Sequence, residues 1–176
     1  QNGTLEEMFG TVARGMAYPF GTYNDDVVDV LKTCGFRFAR TVNATGRFDV
    51  PQDWLRLPAT CHHDDPRLMD LAEAFVNLKP SFDNKVFYLW GHSYEFEANN
   101  NWDRIETFAA KVGGKDDIWY CTNSELVNYT LAWKRIEISA DGKTMHNPTD
   151  THFWFEINVN GKLTEIKPGE WLTYTI

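Results

Sequence analysis

The chain has few cysteines, and none are spaced as metal-binding pairs. Cys34, Cys61 and Cys121 are widely separated and odd in number, and no Cys-x-x-Cys occurs. This argues against a zinc knuckle or a redox dithiol. We expect buried free thiols, with pairing of two of them as the less favoured alternative. The cysteines leave the compartment open between extracellular, cell-envelope and cytoplasmic.

Basic clusters and long apolar runs are also lacking. The net charge is −8 and no Lys/Arg run forms a phosphate-binding patch, so nucleic acid is not an expected partner. No apolar window approaches the ~20 residues that a membrane-spanning helix needs. The opening QNGTLEEMFG lacks the basic and apolar regions of a signal peptide, so we expect such a peptide to be absent or already removed.

Several familiar catalytic motifs are missing as well. No Gly-x-Gly-x-x-Gly or P-loop pattern occurs, which argues against nucleotide binding. Ser93 and Ser124 have no Gly-x-Ser-x-Gly context, so a serine-nucleophile hydrolase is weakly supported. What is plentiful is aromatic residues, at 15% with seven tryptophans. They suit a sugar-facing surface, but a filled core is their more usual use.

The first 132 residues alternate strand and helix patterns. A strand pattern ends at Pro19-Phe20-Gly21, a helix follows from Asn24 or Asp25 to Gly35, and a second strand begins at Phe36. The helix places Val27, Val30, Leu31 and Cys34 on one face. Strand, helix and strand within about 30 residues predict a βαβ unit with neighbouring parallel strands.

A second cycle follows, with a strand at 84–92, a helix at 101–112 and a strand at 117–123. Between the cycles we predict a helix with Pro66 in its first turn and Pro80 at its end. A last helix is predicted to be capped by Ser124. Residues 133–176 change character, with period-2 runs around Asp141-Gly142 and Asn160-Gly161. We therefore predict an α/β domain at 1–132 and an antiparallel β-rich extension at 133–176.

Polar residues converge where the predicted parallel strands end, which is where ligands gather in such sheets. His92 follows the apolar run FYLWG, so proton transfer and a structural histidine bonded to backbone are equally favoured. Asp53 could orient it, although a helix-start aspartate is the more common use. His62 and His63 are weak metal-ligand candidates, because adjacent side chains rarely point at one ion.

The stretch GMAYPFGTYNDDVVDVLKTCGFRFART resembles the polysaccharide deacetylases of carbohydrate esterase family 4, the NodB homology domain. The family's third motif corresponds to Ala17-Tyr18-Pro19-Phe20-Gly21, its fourth to Asp53-Trp54 and its fifth to Trp90-Gly91-His92. The resemblance covers about residues 5 to 130. It departs from the family where Ala17 replaces an arginine and Trp90 replaces a leucine. The family's first motifs, Thr-Phe-Asp-Asp and His-x-x-x-His, do not occur.

The resemblance implies a metal-dependent carbohydrate deacetylase, a hydrolase that removes acetyl groups from N- or O-acetylated polysaccharides or oligosaccharides. Its fold would be a partial (β/α) barrel with a C-terminal antiparallel extension. A divalent metal, zinc by resemblance, would have its ligands upstream of Gln1, in the missing N-terminal segment of the same domain. This chain alone would therefore be inactive.

The resemblance also implies roles for single residues. His92 would be the general acid, Asp53 would hold it, and the Phe20 backbone N–H would stabilise the oxyanion. Substrate would contact the side chains Tyr18, Trp54, Trp90 and Tyr94. Two alternatives stay open. One is a non-catalytic carbohydrate-binding remnant using Trp90, Tyr94 and Trp102, and the other is an assembly domain with an interface on the β-rich tail, where His146, His152 and Phe153 pack.

Overall fold

The structure, a computed structural model, describes residues 2–79, 84–157 and 162–174. The chain divides into two compact units, Gln1–Tyr120 and Cys121–Ile176. The division falls before the last helix rather than after it, where the sequence placed it. That helix belongs to the second unit because its Tyr129 packs on Phe153, with ring centroids 4.9 Å apart.

The first unit alternates short strands and helices. Its helices are α1 (Asn2–Phe9), α2 (Asp25–Thr33), α3 (Leu68–Val76), α4 (Ser93–Asn99) and α5 (Trp102–Val112). Its strands are β1 (Gly15–Ala17), β2 (Phe38–Ala44), β3 (Leu57–Ala59), β4 (Cys61–His62) and β5 (Leu89–Trp90). Turns of 3-10 helix occur at Pro19–Gly21 and Trp54–Arg56.

The strand pairs among the described residues of the first unit are parallel, as the βαβ pattern predicted. β2 lies between β1 and β3, and β4 pairs with β5. Thr60 joins the two sheets, because its carbonyl accepts the Gly46 N–H at 2.8 Å and its N–H donates to the Tyr88 carbonyl at 2.8 Å. The carboxyl ends of these strands therefore face one edge. The described residues form no closed barrel, and the partial barrel stays a prediction.

Helix α2 has the predicted ends but a different buried face. Asn24 caps it by accepting the Val27 N–H at 2.9 Å, and Gly35 follows it at a φ of +77°. Val28 and Leu31 are buried, whereas Val27, Val30 and Cys34 are exposed. The predicted face was wrong because consecutive valines at 27 and 28 offer two apolar faces, and only packing on Ala39 and Leu55 selects one.

Other predicted elements differ at their ends. The helix after Pro66 begins at Leu68, and Pro80 lies outside the described residues. The strand predicted at 117–123 does not form, because this segment makes no ladder bonds with another strand. The last helix is capped by Thr122 instead of Ser124, since the Thr122 side chain accepts the Glu125 N–H. Helix α4 was not predicted.

The second unit contains α6 (Asn123–Trp133) and five antiparallel strands. The strands are β6 (Glu137–Ile138), β7 (Thr144–His146), β8 (Phe153–Ile157), β9 (Lys162–Ile166) and β10 (Trp171–Thr173). Its core is formed by Met145, Phe153 and Ile166. The predicted Asp141-Gly142 turn joins β6 to β7, with Gly142 at a φ of +68°. The predicted turn at 160–161 lies outside the described residues.

The three cysteines are free thiols. Of these only Cys61 is buried, so the expectation of buried thiols holds for one of them. Burial raises the pKa of the Cys61 thiol to about 11, which leaves little thiolate for chemistry at neutral pH. None of the described helices is long and apolar enough to cross a bilayer.

The core of the first unit includes Tyr18, whose hydroxyl donates to the Leu55 carbonyl at 2.7 Å. Tyr18→Phe is expected to lower the free energy of unfolding by about 1 kcal/mol, because the buried carbonyl loses its donor. Urea unfolding measures this. Tyr23→Phe is the matched control, since its ring stacks on Tyr18 at 4.4 Å but none of the described hydrogen bonds uses its hydroxyl. Equal losses in both variants would contradict the prediction.

Candidate active site at the ends of strands β4 and β5

Two pairs of residues meet where β4 and β5 end. His62 is the last residue of β4 and His63 follows it, and Trp90, the last residue of β5, is followed by Gly91 and His92. The His63 N–H donates to the Trp90 carbonyl at 2.9 Å. Since the strands are parallel, their carboxyl ends adjoin, and this brings both histidines beside the start of α4.

Gly91 is required by the position of His63. A Cβ built on Gly91 would lie 1.8 Å from His63 Cδ2 and 2.7 Å from its Nε2. His63 is only 2% exposed, and its ring also packs on Phe96 with centroids 4.2 Å apart. The glycine of the Trp90-Gly91-His92 motif therefore provides the space into which a buried imidazole fits.

Glu95, one turn into α4, connects the histidines. Its Oε2 lies 2.6 Å from His63 Nε2 and 3.3 Å from His62 Nε2, and it accepts the His92 N–H at 3.1 Å. Burial raises the pKa of Glu95, but the hydrogen bonds from His63 and the His92 N–H outweigh it and hold the pKa below its usual range. Burial and neighbouring His63 lower the pKa of His62. These shifts favour an ionised Glu95 carboxylate beside a neutral His62 imidazole.

His62, His63 and Glu95 have ligand atoms within 4.8 Å of one another, so the group could hold a metal ion. Two contacts indicate that protons, rather than a metal ion, lie between these ligand atoms. The Asp64 N–H donates to His62 Nδ1 at 3.2 Å, which in the neutral ring places the proton on Nε2 and removes its lone pair. The 2.6 Å between His63 Nε2 and Glu95 Oε2 is shorter than the ~3.3 Å that separates two ligands on one tetrahedral zinc. As arranged, the three residues do not fit the implied zinc.

The loop after His63 is held by hydrogen bonds from Arg104 and by hydrogen bonds between Asp65 and Arg67. Arg104 of α5 donates to the His63 carbonyl at 2.7 Å and to the Asp65 carbonyl at 2.5 Å. The Asp65 carboxylate accepts the Arg67 N–H at 2.9 Å and both guanidinium donors, at 3.0 and 2.8 Å. These bonds fix the backbone that presents the two histidines.

Asp65→Asn is expected to cost about 1 kcal/mol of stability at pH 7, because it removes charge-assisted bonds to Arg67. The hydrogen bonds from Arg67 hold the Asp65 pKa below its ordinary value. This stabilisation is therefore present above the unfolded pKa of about 3.9 and is lost as pH falls through the folded value. Urea unfolding of wild type and variant between pH 7 and 3 measures the difference. Asp116→Asn, at an exposed carboxylate, is the control, and a pH-independent difference would contradict the prediction.

The structure separates the predicted pair His92 and Asp53. His92 is exposed, and its ring stacks on Tyr94 at 5.2 Å and meets the Trp90 edge at 5.9 Å. Asp53 instead accepts the Leu55 N–H at 3.0 Å and pairs with Arg56 at 2.7 Å. No hydrogen bond or ion pair of the described residues joins His92 to Asp53, contrary to the prediction. Asp53 caps a 3-10 turn and is occupied by its own neighbours.

The predicted oxyanion donor lies in an unusual backbone conformation. Phe20 has φ and ψ of 56° and 14°, and its side chain is fully exposed. The neighbouring N–H groups are used, Gly21 to the Tyr18 carbonyl and Thr22 to the Pro19 carbonyl. None of the hydrogen bonds found in the described part of the chain uses the Phe20 N–H. A left-handed non-glycine residue costs of order 1–3 kcal/mol and is often found at functional sites.

The four predicted substrate-binding aromatics divide into two pairs. Tyr18 and Trp54 are 3% and 6% exposed, so both are core residues and present no ring to a ligand, contrary to the prediction. The sequence did not predict the burial of Tyr18 and Trp54, because the residues that cover them come from distant segments. Trp90 is half-buried under the Arg40 guanidinium, 4.4 Å from its ring centre, and Tyr94 is 67% exposed.

A cavity of about 270 Å³ lies beside Asp53, on the neighbouring loop after β2. Its charged lining comprises Arg47, Asp49, Asp53 and Arg56. Arg47 pairs with Asp49, and Arg56 with Asp53, so these charges are already balanced. The cavity offers space beside the strand ends without an unpaired charge to select a ligand.

Glu95 is the functional candidate that the sequence reasoning missed. A signal was present, because a glutamate three residues after the residue that precedes a helix is the spacing of a capping box. The pattern His92-Ser93-Tyr94-Glu95 has this spacing. It could have predicted helix α4 and the contact of Glu95 with the His92 backbone, but not the contact with His63.

Comparisons with known proteins do not identify the chain. No family model matches it, and no curated protein or solved structure matches it either. A functional assignment therefore depends on the geometry of the strand ends and on the order of the motifs.

Proposed function

We propose that this chain carries the residue that protonates the leaving group in a carbohydrate deacetylase, a hydrolase that removes acetyl groups from N- or O-acetylated sugars. The observation that carries the proposal is the exposed His92 imidazole at the carboxyl end of parallel strand β5, beside the buried His63 and the half-buried Glu95 to which it bonds. The motif order supports it, since the Phe20 turn follows β1 and therefore faces the same edge of the parallel strands.

In this reaction a water molecule gives up a proton to the aspartate base that the resemblance implies and adds to the acetyl carbonyl, and the bond from that carbon to the sugar nitrogen then breaks. His92 donates its proton to the departing nitrogen, which leaves as a neutral amine, and acetate is the other product. The exposed ring suits this role because a substrate can reach it. The ring stacks on Tyr94, with planes 14° apart, which favours this orientation.

Phe20 would act on the oxygen of the same carbonyl. Its N–H makes none of the hydrogen bonds of the described residues, so it is available to donate to the negative oxygen that develops during attack. The divalent metal that the resemblance implies, zinc, would supply activation of the water. The His62, His63 and Glu95 arrangement does not fit that ion, and the resemblance expects its ligands upstream of Gln1.

The proposal is tested by acetate release from N-acetylated chito-oligosaccharides. The assay uses this chain as it stands and joined to whatever its reading frame encodes upstream of Gln1, each with added Zn²⁺. We expect release from the joined form, and Asp-Asp and His-x-x-x-His segments within the added sequence. A reading frame without those segments, or no release from a folded joined form, would overturn the proposal.

A sugar-binding module without catalysis is the second candidate. The exposed rings of Tyr94 and Trp102, at 67% and 45%, are the observation that favours it, since sugars stack on such faces. Titration calorimetry with the same oligosaccharides separates the two. Binding that Tyr94→Ala abolishes, without acetate release from any form, supports the module. Absence of binding rejects it.

A further inference from the structure

We propose that Glu95, rather than Asp53, is the positioning residue that holds His92 for proton transfer. The role in catalysis rests on the function proposed above, whereas the contact itself is a property of this chain. Asp53 is excluded by its own bonds to the Leu55 N–H and Arg56. Glu95 is the carboxylate that bonds directly to His92.

Glu95 and His92 exchange two hydrogen bonds across the first turn of α4. The Glu95 Oε2 accepts the His92 N–H at 3.1 Å, and the Glu95 N–H donates to the His92 carbonyl at 3.1 Å. Together they hold His92 in an extended conformation, with φ of −125° and ψ of 133°. This conformation directs the Cα–Cβ bond of His92, and thereby sets where the imidazole begins.

The Glu95 carboxylate is itself anchored. His63 holds its Oε2 at 2.6 Å, and His63 is buried between Gly91 and Phe96 with its N–H on the Trp90 carbonyl. His62 approaches the same oxygen at 3.3 Å. A carboxylate held by a buried donor is a more rigid partner than one on a solvated side chain, because few rotamers keep the short bond.

The orientation of the His92 ring and the position of the His92 backbone therefore depend on different residues. Tyr94 stacks on the His92 ring at 5.2 Å, and Trp90 meets the same ring edge-on at 5.9 Å. The Glu95 carboxylate bonds to the backbone N–H of His92. Loss of Glu95 should therefore misplace the imidazole without removing an aromatic surface for the sugar, so turnover should fall more than substrate affinity.

Glu95→Ala and Glu95→Gln test the inference. Alanine removes the acceptor, while the glutamine oxygen can still accept the His92 N–H. Glu106→Ala is the matched control, because this exposed glutamate of α5 makes no hydrogen bond or ion pair with the described residues. Hydrogen exchange of the His92 amide is measured by NMR in this chain. The values of kcat and KM for acetate release are measured in the joined form, called the active form below.

In Glu95→Ala the His92 amide is expected to exchange about tenfold faster, as for loss of one hydrogen bond. We expect kcat to fall about tenfold with KM changed less than about twofold. Glu95→Gln should recover most of both effects, and Glu106→Ala should match wild type. A general loss of packing would not be rescued by glutamine in this way, and Glu95→Gln keeps the test valid if the alanine variant unfolds.

Three results would overturn the inference. They are unchanged His92 amide exchange in Glu95→Ala, faster exchange with unchanged kcat, or stoichiometric Zn²⁺ binding by this chain that both Glu95 variants abolish. If no form of the wild-type protein releases acetate, the proposed function fails separately. The exchange rates then still decide whether Glu95 holds His92.

Discussion

Replacement of His92 by alanine is expected to lower kcat for acetate release about 10²-fold or more, the usual loss when a general acid is removed. The physical reason is that the sugar nitrogen must leave as a neutral amine, and without a donor it would leave as an anion. His92 is exposed and contacts its surroundings through Trp90 and Tyr94, so its removal should leave the fold largely intact.

The measurement is steady-state acetate release by the active form, together with urea unfolding of each variant. His92→Gln should lose as much activity as His92→Ala, because an amide keeps the size of the side chain but cannot transfer the proton. His152→Gln is the control, a histidine of the second unit that stacks on Trp154 at 4.3 Å. A kcat for His92→Ala within threefold of wild type would remove His92 from the mechanism.

The largest expected effect on stability is that of Gly91→Ala. Its new Cβ would lie 1.8 Å from His63 Cδ2, a distance that no packed structure tolerates. His63 cannot move away freely, since its ring packs on Phe96 and its Nε2 bonds to Glu95. Either β5 shifts or the hydrogen bond between His63 and Glu95 breaks. We expect the free energy of unfolding to fall by about 3 kcal/mol, the upper part of the usual range for overpacking.

Urea unfolding compares Gly91→Ala with Gly3→Ala, a position in α1 where an added Cβ meets no atom within 4 Å. The control should be neutral or slightly stabilising, because alanine favours helix over glycine. Combining Gly91→Ala with His63→Ala tests the cause. If the clash is responsible, the double variant loses less stability than the sum of the two single variants by more than about 1 kcal/mol. Simple additivity would place the effect of Gly91 elsewhere.

The sequence was most informative where a few adjacent residues determine the structure. The cap of α2 was predicted at Asn24 or Asp25 and lies at Asn24, and the predicted helix end at Gly35 and the Asp141-Gly142 turn are confirmed. These depend on backbone conformations that particular residue types favour over a span of a few positions. The strand predicted at 117–123 failed for the complementary reason, since a strand also needs a partner that local sequence does not supply.

His92 illustrates the same division within the candidate site. The apolar run followed by Gly91 placed it at the end of a strand, where the structure has it. Its partner was predicted as Asp53 because the resemblance favoured that carboxylate. The sequence alone does not distinguish Asp53 from the other carboxylates as a partner of His92. The aromatic residues Tyr18 and Trp54 were likewise indistinguishable from exposed ones until the core formed around them.

By itself, the sequence indicated parallel strands in the domain predicted at 1–132, antiparallel pairs in the tail, and the position of His92 at a strand end. Only the tertiary structure decided that His63 meets Glu95, 32 residues further along the chain, and that Gly91 leaves the space in which they meet. Local preferences act over a few residues, whereas the pairing of β4 with β5 decides which distant side chains become neighbours.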